Sequence, residues 1–303
     1  MIILSTERGF IEVESWEDIK SLPGFVENLN PAEHELEAAI GFYPFKYKVN
    51  CGLTTCHQPH MKGFIVKTKN GILTNIGKDC GKTHFGVEFE TLTKQLDRAY
   101  KESENRKKLD SFKSHIEVLE DNINGLMLQD KGAKWVYNNT NELIKVGGDC
   151  NEIIVRKIIE MAKARVNTLT LSTEATEEEI QILEASQSRQ IQRPHIITKN
   201  IAEITGLSVF YPENNLKDIL VFDLQNQLNL FKNKPVDLMT YSELQTWVKF
   251  VDSIENKLET VKRSIKAGLN LLSIENLKPF SALLIKPEDK KKFLSFISNL
   301  TSD

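Results

Sequence analysis

Cysteine is scarce in this chain, four residues in 303, too few for the disulfide framework on which small secreted domains depend. Long apolar runs are missing as well: no stretch approaches eighteen consecutive apolar residues, which excludes a membrane-spanning helix. The start, Met1-Ile-Ile-Leu-Ser-Thr-Glu7, has neither the basic lead nor the apolar core of a secretory signal. These absences predict a cytoplasmic protein in a reducing compartment, without a membrane partner. Several catalytic signatures are lacking too: there is no P-loop, no G-x-G-x-x-G, no G-x-S-x-G and no His-Glu-x-x-His. Nor is there a large excess of one charge, since the net charge is −3.

The charge that is present is unevenly spread. Residues 1–41 carry nine acids, from Glu7 to Glu37, against Arg8 and Lys20. From Phe42 to His84 the balance reverses, with Lys46, Lys48, Lys62, Lys67, Lys69, Lys78 and Lys82 against Asp79 alone. A locally basic segment inside a mildly acidic chain either solvates a small folded module or offers an anion-binding surface.

Short strands are expected at Ile2–Leu4 and Gly9–Val13, and a helix from Ser15 to Leu22 stopped by Pro23-Gly24. Asn30-Pro31 places a capping residue before a proline at a first helical position, which predicts a helix from Pro31 to about Ile40. Gly63–Lys69 and Ile72–Ile76 are β-prone runs joined by Asn70-Gly71, a pattern that predicts a hairpin with a type I′ turn. Beyond Cys80 the chain reads as mainly helical, with apolar residues three and four apart from Phe89 to Ile123, then helices over Asn151–Arg165, after Thr176 and over Pro287–Leu300. Between Pro194 and Pro235, Leu207–Tyr211 and Ile219–Phe222 fit strands or buried helix pieces alike. Behind a capping box at Thr240–Glu243, the stripe Leu244, Trp247, Val251, Ile254, Leu258, Val261 and Ile265 marks a helix laid along another helix, inside its own bundle or in a coiled coil with a second copy.

Three of the four cysteines fall within thirty residues, in the runs Cys51-Gly-Leu-Thr-Thr-Cys56-His57-Gln-Pro-His60 and Cys80-Gly-Lys-Thr-His84. Thiolates and imidazoles gathered this closely suit a tetrahedral zinc site. The order of a cysteine-bearing knuckle, a hairpin and a helix start resembles the treble-clef zinc finger over about residues 49–100, although that family's knuckle usually has two residues between its cysteines and this one has four. The resemblance implies that Cys51, Cys56, Cys80 and His84 hold a structural zinc, Cys80 and His84 lying one helical turn apart. A rival set replaces Cys51 by His60, as a Cys56–His60 pair. Gly77 and Gly81 are read as letting the backbone approach the metal, and His57 as an exposed or supporting residue. Cys150, after two glycines and before a helix, reads as a thiol of the cap region.

The fold expected is thus an α+β zinc-binding domain over 1–100, followed by a mainly helical region with long helices over 101–303 that has a break near 190–240. The function expected is binding, of nucleic acid or a protein partner, with zinc as scaffold. Phe42-Tyr-Pro-Phe-Lys-Tyr-Lys48 interleaves aromatics with lysines, as stacked bases and neutralised phosphates require, and the hairpin adds Lys67 and Lys69. One alternative is a nuclease resembling the HNH family, with His60, Asn75 and His84 in the order of that family's site but Pro59 where an acid commonly stands. The other is an assembly protein, a homo-oligomer joined through its helices.

Overall fold

The alternating start of the chain forms a hairpin, β1 (Ile2–Thr6) against β2 (Gly9–Val13), closed at Gly9, whose φ is +111°. Ser15 and Asp18 then exchange side-chain and backbone bonds at 3.1 and 3.2 Å, a complete capping box for the short helix α1 (Trp16–Lys20). A computed structural model describes residues 1–302, with side chains as far as Leu300. Its architecture is α+β: an antiparallel sheet at the N-terminus and a mostly helical region after it.

The helix expected from Pro31 does not form. Asn30 does cap locally, its Oδ1 accepting from the Ala32 N–H at 3.1 Å and its Nδ2 donating to Glu33 at 2.7 Å, but these bonds close only a turn. From Leu36 the chain is strand β3 (Leu36–Asn50), paired with β4 (Pro59–Thr68). Glu-Leu-Glu-Ala-Ala has good helix propensity. A strand of hydrogen bonds to β4 and a place for Leu36 in the core outweigh it.

Strand β5 (Leu73–Gly77) completes a sheet of order β2-β1-β3-β4-β5. The hairpin at Asn70-Gly71 is present, but its turn is not type I′. Gly71 has φ +80° while Asn70 is not left-handed, the Gly71 N–H bonds to Thr68 O at 2.9 Å, and the Thr68 N–H bonds to Ile72 O at 2.9 Å. This is a three-residue loop with glycine at the left-handed third position, the next most common hairpin closure.

Helix α2 (Lys78–Lys113) leaves β5 without a loop and kinks at Gly86 (φ +51°, ψ −130°). The eight residues before the kink carry Cys80 and His84. Beyond it the helix lies on the sheet through Phe89, edge-on to Phe64 at 5.6 Å, and through Tyr100, which meets Phe10 at 5.3 Å and Phe42 at 5.1 Å. Burial of such rings is the main force joining the layers.

The chain divides into two compact units, one of residues 1–112 with 235–248, the other of 113–234 with residues from 249 onward. In the first, Arg106 anchors the 235–248 segment to α2 by donating to the carbonyls of Val236 and Met239, while Arg98 lies over the Tyr241 ring at 5.1 Å. The second contains α3 (Ile116–Leu128), α4 (Ala133–Leu143), α5 (Glu152–Ala164), α6 (Glu177–Gln187), α7 (Asn226–Lys232), most of α8 (Tyr241–Leu271), α9 (Ile274–Leu277) and α10 (Pro287–Ser302). The ambiguous stretch resolves as a 3₁₀ turn (Leu207–Phe210) and a π-helical segment (Asp218–Gln225). Two strands were not expected, β6 (Thr168–Glu174) and β7 (Ile196–Glu203), which pair with α6 between them. All seven residues of the α8 stripe are buried or half-buried within a single chain. Among the described residues no helix is long and apolar enough to cross a membrane.

Candidate metal centre

Strand β3 ends at Asn50, and the next residue, Cys51, is buried at the edge of a core that includes Leu29, Leu53, Ile76 and Phe89. The chain then turns sharply: the N–H groups of Cys56 and His57 both bond to Leu53 O, at 3.1 and 3.3 Å, and His57 takes a φ of +50°. The knuckle is held from both sides. Leu29 N–H bonds to Gly52 O and Thr54 N–H to Leu29 O on one flank, and Gly52 N–H to Asn75 O on the other. On the helix side, Cys80 sits in the first turn of α2.

These elements bring together Cys51, Cys56 and Cys80, whose sulfurs all lie within 4.8 Å of one another. Cys56 Sγ and Cys80 Sγ are 2.9 Å apart. A tetrahedral ion with metal–sulfur bonds of about 2.3 Å holds its sulfurs about 3.8 Å apart, so the three soft donors are gathered closely enough to hold a metal ion, with Cys56 and Cys80 nearer to one another than such a site sets them. Their titration reflects this crowding. Burial pushes the Cys80 thiol up to about 12, with Cys56 and Cys51 adding to the rise. Burial also raises Cys51, against the N–H groups of Gly77 and Leu53 aimed at its sulfur. At Cys56 burial acts upward, but the Cys80 thiol and the Gln58 N–H, 3.5 Å from the sulfur, together lower it. A divalent cation would remove the repulsion that three adjacent thiolates otherwise suffer.

His84 lies outside this group of three. It is exposed one turn beyond Cys80, with Nε2 at 3.4 Å from the Thr55 hydroxyl, the residue that precedes Cys56. His57 is exposed as well. Cys150 belongs to the other unit, where burial pushes its thiol up to about 11.

His60 is committed elsewhere, in a hydrogen-bond chain whose directions can be worked out. Its Nδ1 lies 3.2 Å from Gln58 O, which can only accept, so Nδ1 carries the proton. Nε2 therefore accepts from the Tyr43 hydroxyl at 2.6 Å. That hydroxyl in turn accepts from Asn75 Nδ2 at 3.1 Å, and the same amide donates to Asn50 O at 2.8 Å. The chain runs from Asn50 to Gln58, the two residues that bracket the knuckle, and every member within it is bonded. Burial lowers the pKa of His60, keeping the ring neutral as this arrangement needs.

Two glycines make room for that ring. Tyr43, Gly63 and Gly77 are cross-strand neighbours on β3, β4 and β5. A Cβ on Gly63 would stand 2.6 Å from His60 Nε2 and 2.4 Å from the Tyr43 oxygen, and one on Gly77 would stand 3.0 Å from the imidazole. Gly81 likewise clears Phe89, whose ring a Cβ would meet at 2.3 Å. Gly77 thus brings its N–H to the Cys51 sulfur, as expected of a close approach to the ligands, and also makes room for the His60 ring, while Gly81 makes room for Phe89. His60 and the buried Asn75 are bonded to Tyr43, and neither belongs to the cysteine group.

The same network supports an aromatic column. Tyr43 stacks on Phe45 (4.9 Å, 27°) and Phe45 on Tyr47 (4.5 Å, 12°), while Trp16 meets Tyr43 and Phe45 edge-on at 5.0 and 5.6 Å. The column rises from the core to solvent: Tyr43 is 1% exposed and Tyr47 54%. A bulge lifts its outer end, because the register passes from Pro44↔Lys62 to Val49↔His60 and leaves residues 45–48 opposite Met61 alone. Phe42 points to the other face, against Tyr100.

Among the lysines of this region, Lys67 pairs with Glu37 at 3.0 Å, Lys69 with Glu35, and Lys82 with Glu90 at 3.0 Å. Lys46, Lys48 and Lys62 are exposed and have no carboxylate partner among the described residues. The hairpin lysines expected to meet phosphate are thus the neutralised ones, and Lys62, which composition alone did not distinguish, stands free beside the bulge.

No family model matches this chain, and no curated protein and no solved structure matches it.

Proposed function

We propose that the N-terminal unit is a zinc-stabilised, non-enzymatic module that binds single-stranded nucleic acid. The observation that carries this reading is the Tyr43–Phe45–Tyr47 column, which ends exposed on a bulge beside three unpaired lysines. An exposed ring offers a base a stacking face, and Lys46, Lys48 and Lys62 can neutralise the phosphates on either side. Zinc would supply scaffold rather than chemistry, held by Cys51, Cys56 and Cys80 with His84 as fourth donor after a side-chain rotation away from Thr55. A set of four protein ligands leaves no position for a reactive water.

The test is fluorescence anisotropy with labelled single-stranded oligonucleotides over a salt series. The triple variant K46E/K48E/K62E is expected to weaken binding and to flatten the log–log salt dependence by about 0.7 per lysine lost. Tyr47→Ala should cost about 1–3 kcal/mol of binding. K67E/K69E, which alters lysines already paired with glutamates, should have much less effect. Absence of binding at low salt, or equal behaviour of all these variants, overturns the proposal.

A further inference from the structure

A second surface lies in the helical unit, remote in character from the metal centre. Three cavities of about 210, 180 and 480 Å³ are strung together there. The middle one shares Tyr137 and Leu216 with the first, and Ile144 and Phe210–Pro212 with the third; the outer two share no residue. They therefore form one elongated groove rather than a rounded pocket. Helix α4 contributes Tyr137 and Asn141, followed by its C-cap Ile144; the 3₁₀ turn contributes Val209 and Phe210, the π-helical segment Leu220 and Val221, and α5 lines the third cavity through Ile159 and Ala162. π-Helical turns recur at functional sites, and here Leu220 and Val221 of that segment line the first cavity.

The ends of the groove are apolar and its centre is polar. The side-chain amide of Asn141 and Nδ2 of Asn215 line the middle cavity without a hydrogen bond among the described residues, a provision for polar groups of a ligand. Charge distinguishes the ligand further. Lys134 and Lys217 line the first cavity, Lys163 and Arg165 the third, and no aspartate or glutamate lines any of the three. Arg165 is engaged, bonded to Glu213 at 2.7 Å and lying 4.4 Å over Tyr211. The three lysines have no ion pair among the described residues.

We infer that this groove docks an acidic amphipathic peptide segment of a partner protein, apolar side chains entering the two outer cavities and carboxylates meeting Lys134, Lys217 and Lys163. Two apolar cavities that share no lining residue suit two separate apolar anchors, as in helix-in-groove recognition, and the cation rim sets the sign of the partner. The inference is independent of the nucleic-acid reading, since it rests on the other unit.

The probe is a labelled peptide of about sixteen residues with Leu or Phe at helical spacing and Glu elsewhere, compared with the same peptide carrying Lys for Glu. With the full chain, the acidic peptide is expected to bind saturably and about tenfold more tightly than the basic one. K134E/K217E should remove or invert that preference, and K266E, on α8, should leave it intact. A photo-crosslinker at an apolar position should label residues 127–144, 159–165 or 207–221. Equal affinity for both peptides, indifference to the charge swap, crosslinks outside these segments, or displacement of the peptide by a single-stranded oligonucleotide would each overturn the inference.

Discussion

Replacing Tyr43 by Phe removes one oxygen and strands two neighbours. His60 Nε2 loses the donor at 2.6 Å, and Asn75 Nδ2 loses one of its two acceptors, keeping only Asn50 O. Asn75 is 2% exposed and Tyr43 1%, so water cannot readily replace what is lost. Each stranded buried group costs about 1–3 kcal/mol, partly offset because a buried hydroxyl no longer has to be desolvated, leaving a net loss of about 2 kcal/mol. With a urea m-value of about 2 kcal/mol/M, that is a midpoint about 1 M lower. The readout is amide exchange in β4 and β5 as a function of urea, which reports this unit alone. Adding His60→Leu should be less costly than the sum of the single changes, since it removes the orphaned acceptor, with a coupling of about 1 kcal/mol. Metal content should not change, because His60 spends both nitrogens on Tyr43 and Gln58. A loss below about 0.5 kcal/mol, strict additivity, or a parallel loss of zinc from His60→Leu would refute the reasoning.

Purified protein should carry about one zinc per chain by elemental analysis, and Cys51→Ser, Cys56→Ser or Cys80→Ser should each abolish it and unfold the N-terminal unit preferentially, as a chelator should. Acid should destabilise this unit before the carboxylates titrate. His60 has a folded pKa below its unfolded value, so as pH falls through about 6.5 the unfolded chain takes up a proton that the folded one refuses, and stability drops until the folded pKa is reached; His60→Gln should flatten that step in a pH series of melting temperatures. Gly81→Ala should destabilise by about 1–3 kcal/mol through its collision with Phe89, whereas Gly125→Ala, with nothing within 4 Å, should stabilise slightly; the two melting temperatures decide it.

The residues themselves determined a good deal. Alternation and capping chemistry act over a few positions, so the first hairpin, the Ser15, Thr176 and Thr240 capping boxes and the β4–β5 pairing follow from local sequence. The gathering of Cys51, Cys56 and Cys80 was legible too, because the hairpin between the runs must return the chain to its own start. Tertiary structure decided what local rules leave open. Leu36–Ile40 became strand because β4 offered partners. Asn70-Gly71 closed as a three-residue loop, since the Thr68 N–H bonds to the Ile72 carbonyl across it. Only the side-by-side placement of Tyr43, Gly63 and Gly77 made a trough for His60, turning a candidate ligand into a half-buried strut. Spacing along a chain reports which donors are near in sequence. Which nitrogen is free to bind is set by the neighbours the sheet brings together, Tyr43 from 17 positions before His60 and, behind it, Asn75 from 32 positions beyond Tyr43.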